Sequence, residues 1–104
     1  MVIPQFRAEI VSMNGTATIV VEGELDIYTA PALVACLDQA TESGDGPVVI
    51  DVASMSFIDS RGLSAIAQAV RQLGGRPLVL RSPSSSTRKV LDISGLSSLV
   101  QLED

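Results

Sequence analysis

The stretch that decides the fold is residues 48–73, VVIDVASMSFIDSRGLSAIAQAVRQL. Its first part, Val48 to Val52, is apolar on both faces of an extended chain, which is typical of a strand in the middle of a sheet. A helix is predicted from about Ser60 to Leu73, because apolar residues recur there at helical spacing. Those expected to face inward are Leu63, Ile66, Ala67, Val70 and Leu73. A buried strand followed by an amphipathic helix predicts an α/β fold.

The chain before this stretch predicts a hairpin and a first helix. Phe6 to Ser12 and Thr16 to Glu22 are alternating or β-branched, and Asn14-Gly15 between them favours a tight turn. The helix is expected to begin near Thr29 as its N-cap, with Pro31 tolerated in the first turn. It should end at the turn 43–47. Its apolar stripe contains Ala30, Leu33, Val34, Leu37 and Ala40.

The chain after this stretch continues the alternation of strands and helices. A short strand is expected within Arg76 to Arg81, a third helix from Ser84 to Ser94 closed by Gly95, and a last strand at Leu99 to Leu102. The sequence therefore predicts an α/β fold of one domain, residues 1–104. Its mixed sheet should have about five strands, with three to four helices packed mainly on one face.

Composition excludes several classes of function. Of 104 residues, 46% are hydrophobic and 18% charged, a balance that suits one compact core. The net charge is −5, with seven Lys and Arg and three aromatic residues, which argues against nucleic-acid binding. Without histidine and with one cysteine, Cys36, the chain offers no disulfide, no Cys/His zinc site and no imidazole triad. Cys36 is interpreted as a small packing residue.

Composition and residue patterns also predict the location of the protein and its ligands. No apolar run reaches the roughly 20 residues that cross a bilayer, and the N-terminus lacks a secretory signal pattern. We therefore expect a cytoplasmic protein without direct membrane insertion. Neither a cofactor nor a metal ion is expected. Glu22, Glu24 and Asp26 alternate and would share a strand face, but a solvated edge or partner contacts explain them better than a metal site or acid and base catalysis.

The candidate functional residues lie at the corner between the buried strand and the second helix. Asp59 and Ser60 are placed there, and either side chain has the chemistry of an N-cap, which is the purely structural interpretation. Gly62 follows within the first turn, where glycine costs about 1 kcal/mol relative to alanine. Its missing Cβ would admit a partner close to Ser60, or would serve tight packing inside the domain. A helix N-terminus also accommodates a phosphate, so Ser60 is a candidate for phosphorylation.

These residues carry a resemblance to the STAS domains of the anti-sigma factor antagonist (anti-anti-sigma factor) family. An apolar strand, an Asp, and a turn ending in Asp-Ser/Thr-x-Gly-Leu correspond to residues 48–52 and 57–63. The family's Gly-Glu/Asp-apolar-Asp corresponds to residues 23–26, and its third-helix ending resembles residues 90–96. The resemblance extends in order and spacing over almost the whole chain.

The resemblance implies a switch rather than an enzyme. The unmodified protein would bind an anti-sigma factor, usually a serine kinase, and release the sigma factor. Phosphorylation of Ser60 by that kinase would break the complex, and a phosphatase would restore it. The partner-facing residues would be Glu24, Asp26, Asp59, Ser60, Arg61 and Gly62.

Arg61 departs from the family pattern, which more often has a small residue there, and a guanidinium would partly neutralise a neighbouring phosphate. The alternative function is a non-switching STAS subunit of a transporter or scaffold complex, which would use the same surface. A small enzyme is a third class, disfavoured because no nucleophile and base pair is visible.

Overall fold

The computed structural model describes residues 6–42 and 44–104. Ser43, in the predicted turn after the first helix, lies outside the described residues. Along the chain the elements are β1 (Arg7–Asn14), β2 (Thr16–Leu25), α1 (Ala30–Glu42), β3 (Val48–Ile58), α2 (Ser60–Leu73), β4 (Leu78–Arg81), α3 (Ser85–Ser94) and β5 (Gln101–Glu103). A single 3₁₀ turn, Leu96–Ser98, links α3 to β5.

One mixed sheet of five strands forms the centre of the described chain, in the order β1-β2-β3-β4-β5. The hairpin pair β1 and β2 is antiparallel, whereas β2, β3, β4 and β5 run parallel to one another. Each parallel neighbour is reached through a connection that contains a helix, as parallel pairing requires. The predicted α/β fold with a mixed sheet of about five strands is confirmed.

The core lies between the sheet and its helices. Helix α1 packs against β1, β2 and α2, and α2 packs against β3 and β4. Alternate residues of β2, Ala17, Ile19 and Val21, are buried in this core. Leu91 of α3 and Leu96 of the 3₁₀ turn join the same cluster, so the helices close one continuous core.

The two central strands are longer than the sequence predicts. Strand β2 continues to Leu25 and β3 to Ile58, because residues 22–25 pair with residues 54–58 beyond two shifts of register. A register shift breaks the alternation of side chains, so periodicity does not reveal this part of the strands. The last strand is shorter and later than predicted, since the 3₁₀ turn occupies Leu96–Ser98.

Helix α2 has the predicted bounds but a slightly rotated buried face. Ile66 and Leu73 are buried as expected, whereas Leu63, Ala67 and Val70 are only partly buried. The other fully buried positions of α2 are Gly62, Ala65 and Ala69. These small residues let the helix approach its neighbours closely, so they occupy the deepest contact while the larger side chains pack beside it.

The side chain of Arg76 links the loop before β4 to the loop before β3 and to the end of α1. Its Nε donates to the carbonyl of Gly46 (3.0 Å), and its Nη1 donates to the carbonyl of Thr41 in the last turn of α1 (3.0 Å). The last carbonyls of a helix have no partner within the helix. A distant side chain therefore satisfies the C-terminal end of α1.

No helix within residues 6–42 and 44–104 combines the length and the apolar character needed to span a bilayer.

Candidate functional site

The predicted site residues meet at the carboxyl edge of β2 and β3. Leu25 and Ile58 are paired in the parallel register, so the two strands end side by side. The backbone N–H of Asp59 donates to the carbonyl of Leu25 (3.1 Å), which joins the two turns that follow. In open α/β sheets, ligands bind beyond the carboxyl ends of the strands. The fold therefore brings residues 24–26 and 59–62 together at one edge.

Asp59 is the N-cap of α2. Its Oδ1 accepts hydrogen bonds from the backbone N–H groups of Arg61 (2.9 Å) and Gly62 (3.1 Å), and its own backbone is extended. The structural interpretation offered by the sequence is thus correct for Asp59 and not for Ser60. A negative cap also interacts favourably with the positive end of the helix dipole.

Ser60 is left with a free hydroxyl. It is the first residue of α2 and is exposed, and within the described chain its side chain makes no hydrogen bond. Its carbonyl accepts from the hydroxyl of Ser64 (2.9 Å), one turn along the helix. Because Asp59 caps the helix, the Ser60 hydroxyl is not needed for folding.

Gly62 serves internal packing. It is buried, and a Cβ at this position would lie 2.8 Å from Cγ1 of Ile58 and 2.8 Å from Cγ of Leu25. Such distances are far inside ordinary van der Waals contact. Of the two explanations for this glycine, the structure supports close packing beneath the turn rather than an opening at the surface. Gly62 therefore lets the first turn of α2, which carries Ser60, pack closely on Leu25 and Ile58.

Asp26 organises the turn between β2 and α1. Its Oδ1 accepts from the backbone N–H groups of Tyr28 (2.9 Å) and Thr29 (3.1 Å). The Thr29 hydroxyl accepts from the backbone N–H of Asp26 (2.9 Å) and donates to the carbonyl of Glu24 (2.7 Å). Thr29 does precede α1 as predicted, but its side chain closes this turn instead of capping the helix, because its hydroxyl is bonded to Asp26 and Glu24.

The acidic residues around β2 do not form a row. Glu22 pairs with Arg7 on β1 (3.1 Å), Glu24 is exposed, and Asp26 lies beyond the end of the strand. In the part of the chain that the structure describes, no group of three or more acidic or cysteine side chains is arranged to hold a metal ion.

Exposed apolar side chains surround this edge, and they were not among the site residues predicted from the sequence. Tyr28 is 88% exposed, Ile27 51% and Phe57 50%. Two of the chain's three aromatic residues are therefore presented to solvent next to site residues. Aromatic side chains are enriched at protein interfaces, and they are the signal that would have pointed to this surface. Their position beside Asp26 and Ile58 gives this edge the apolar character typical of surfaces that bind proteins.

A groove runs along the outside of the two helices from this edge. It has a volume of about 400 Å³, with Ile27, Pro31 and Val34 on the α1 side and Arg61, Ala65 and Gln68 on the α2 side. Arg61 is exposed, and its guanidinium forms no ion pair with any described residue. The groove thus combines apolar walls with one free cation.

Cys36 packs between α1 and β1. It is half-buried, and its Sγ lies 3.5 Å from the carbonyl oxygen of Ala8. Burial, and secondarily the negative charge of Glu9, raise the pKa of the Cys36 thiol. Since the thiolate is the reactive form, these surroundings suit a packing residue and not a nucleophile.

Comparison with known proteins agrees with this geometry. The family model described as STAS domain matches residues 7–104. An anti-sigma-B factor antagonist from Listeria monocytogenes is 34% identical over 89 residues, covering 83% of this chain and 77% of that protein.

Two solved structures have the same fold. An anti-sigma factor antagonist from Mycobacterium paratuberculosis superposes with a TM-score of 0.85 at 26% identity, covering 95% of this chain and 86% of that one. The phosphorylated form of the Bacillus cell fate determinant SpoIIAA superposes with a TM-score of 0.68 at 28% identity, covering 96% and 92%. The five-stranded sheet and these matches agree: the chain belongs to the STAS domain family and, within it, to the anti-sigma factor antagonists.

Proposed function

We propose that the chain is a phosphorylation-controlled binding protein of a partner-switching circuit in the cytoplasm. The unmodified form binds an anti-sigma factor that is also a serine kinase, and this releases the sigma factor. Phosphorylation of Ser60 by that kinase ends the binding, and a phosphatase restores it. The observation that carries the proposal is the exposed Ser60 hydroxyl on a helix that Asp59 already caps. A phosphorylated relative, SpoIIAA, supports it.

The charges at the corner favour such a switch. A phosphate adds about −1.5 to −2 charges at neutral pH. The Asp59 carboxylate already occupies the N–H groups of Arg61 and Gly62, so the helix end has fewer donors to offer a phosphate. The new charge therefore remains on the surface close to the Asp59 carboxylate, and the neighbouring Arg61 would neutralise only part of it. A docked partner would have to bury it, which costs several kcal/mol.

Residues of the proposed binding surface would contact the partner or hold the two turns of the surface in place. Glu24, Ser60 and Arg61 are exposed and would touch the partner, together with the apolar side chains of Tyr28 and Phe57. Three further residues predicted to bind the partner also have a structural role: Asp26 and Asp59 hold the two turns, and Gly62 packs beneath them. Their substitution would displace the surface, besides removing any contact with the partner.

The direct test is phosphorylation by the cognate kinase with ATP, followed by peptide mass analysis. We expect one phosphate, on Ser60. Ser60→Asp should weaken binding of that kinase about a hundredfold, corresponding to about 2.7 kcal/mol, and Ser60→Ala should bind constitutively. Ser85→Asp is the matched control, because Ser85 is the exposed first residue of α3. It should bind like the wild type.

Two outcomes would overturn the proposal. Equal affinity of Ser60→Asp and Ser60→Ala for the kinase would remove the switch. Phosphate on another residue, or on none, would remove the site. Co-purification with the ATPase subunits of a membrane transporter instead of a kinase would favour the alternative, a non-switching subunit.

A further inference from the structure

Arg61 carries a positive charge where the helix does not favour one. It lies in the first turn of α2, at the positive end of the helix dipole, where acidic residues are the stabilising choice. Four other arginines are satisfied within the fold: Arg7, Arg81 and Arg88 pair with carboxylates, and Arg76 binds backbone carbonyls. Arg71 has no such partner among the described residues, but it lies in the last turn of α2, where the helix dipole favours a cation. Arg61 has no such acceptor among the described residues. Folding therefore does not explain this guanidinium.

The groove beside Arg61 has the dimensions of a binding site for a short segment. Arg61 and Gln68 are two turns apart on α2, which places them about 10 Å apart along the axis. The opposite wall is apolar, formed by Ile27, Pro31 and Val34, and Ile27 is half exposed to solvent. The cation thus lies at the end nearest Ser60, and the apolar surface extends away from it.

We propose that this groove binds a segment of the anti-sigma factor in which an apolar side chain is accompanied by an aspartate or glutamate. The inference rests on the proposed function and adds the chemistry of the partner. The apolar side chain would lie against Val34 and Ala65, and the carboxylate would pair with the guanidinium of Arg61. Planar guanidinium and carboxylate groups form paired hydrogen bonds that fix orientation as well as charge.

The proposal commits to an acidic partner because the free charge in the groove is positive. A basic or purely apolar segment would leave the guanidinium buried without an acceptor, which opposes binding. The groove is also continuous with the surface around Ser60, since Arg61 follows that residue directly. A partner that covers the Ser60 hydroxyl is therefore in position to occupy the groove.

The test uses the full chain and the kinase shown to phosphorylate Ser60. Arg61→Gln should weaken its binding about tenfold at low salt and should flatten the dependence of affinity on salt. Arg71→Gln is the matched control, since Arg71 is an exposed arginine in the last turn of the same helix and does not line the groove. It should change affinity less than twofold.

A second pair of variants tests the groove itself. Gln68→Trp fills the end far from Ser60 and should also weaken binding about tenfold, whereas Gln72→Trp adds the same side chain outside the groove and should have little effect. Thermal unfolding checks that each variant is folded. If a tryptophan variant unfolds, Arg61→Glu provides a replacement test. It should weaken binding of the kinase more than Arg61→Gln does, because it places a negative charge opposite the partner's carboxylate.

The outcomes separate this inference from the proposed function. If the wild type binds the kinase while Arg61→Gln and Gln68→Trp behave like their controls, the groove is not used and only this inference fails. Tighter binding of Arg61→Glu than of Arg61→Gln would show a basic partner and would also overturn it. If the wild type binds no anti-sigma factor kinase at all, the proposed function fails and this inference fails with it.

Discussion

The N-terminal ends of α2 and α3 both begin with an exposed serine but are capped by different residues. At α2, Asp59 is the N-cap and Ser60 follows with a free, exposed hydroxyl. At α3, Ser84 is the N-cap: its hydroxyl oxygen accepts from the backbone N–H of Thr87 (3.1 Å) and lies 3.0 Å from the Thr87 hydroxyl. A serine that caps a helix has its hydroxyl engaged, whereas a serine in the first helical position, such as Ser60 or Ser85, does not. The two corners therefore differ in the group that supplies the capping oxygen, a carboxylate at α2 and a hydroxyl at α3.

The third helical position also differs between the two corners. It is Gly62 in α2 and Thr87 in α3, and both are buried. Leu25 and Ile58 press against Gly62, whereas α3 has room for a threonine. The corner at Ser60 is therefore fixed tightly to the ends of β2 and β3.

The largest expected loss of stability comes from placing in α2, at position 62, the threonine that α3 has at its third position. Gly62→Thr forces a branched side chain against Leu25 and Ile58, which should lower the free energy of unfolding by about 2–3 kcal/mol. Denaturant unfolding monitored by circular dichroism measures this. Ser64→Thr, a similar change at an exposed position of the same helix, should alter stability by less than about 0.5 kcal/mol. Equal effects of the two variants would contradict the close packing assigned to Gly62.

An intermediate effect is expected from removing the cap of α2. Asp59→Ala deletes the oxygen that accepts from Arg61 and Gly62, and should lower the free energy of unfolding by about 1–2 kcal/mol. Asp59→Asn keeps an acceptor and removes the charge, so its loss should be about 0.5 kcal/mol, the part due to the helix dipole. A larger loss for Asn than for Ala would show that the carboxylate is not the cap.

The smallest effects on stability are expected for alanine substitutions of Ser60 and Ser84. Ser84→Ala removes a cap and should cost about 1 kcal/mol of stability, whereas Ser60→Ala removes a hydroxyl without a partner and should stay within about 0.5 kcal/mol. Thermal unfolding of the two variants under identical conditions compares them directly. A greater loss for Ser60→Ala would mean that its hydroxyl supports the fold, and the contrast between the corners would disappear.

Local sequence signals predicted which elements form, but they predicted the ends of only some of them. The bounds of α2 were predictable because its apolar residues repeat at helical spacing and Gly74 adopts the left-handed conformation that ends a helix (φ 57°). The extension of β3 to Ile58 was not, because residues 53–57 pair across shifted register and show no regular alternation.

The location of the site was predictable, whereas the roles of its residues were not. The motif around Asp59 and Ser60 placed both at the corner, but the backbone conformation decided which of them caps α2. The exposure of Tyr28 and the groove beside Arg61 depend on how α1 lies against α2, and no local pattern in the sequence encodes that packing.

The two hydrogen bonds of Arg76 impose an order of assembly on the chain. Their acceptors, the carbonyls of Gly46 and Thr41, lie 30 and 35 residues earlier in the sequence. They form only when β3 and α2 have brought residue 76 back across the sheet, and closing a segment of that length has an entropic cost that is met late in folding. The C-terminal end of α1 therefore gains its side-chain partner later in folding than the first turns of the helix gain their backbone hydrogen bonds.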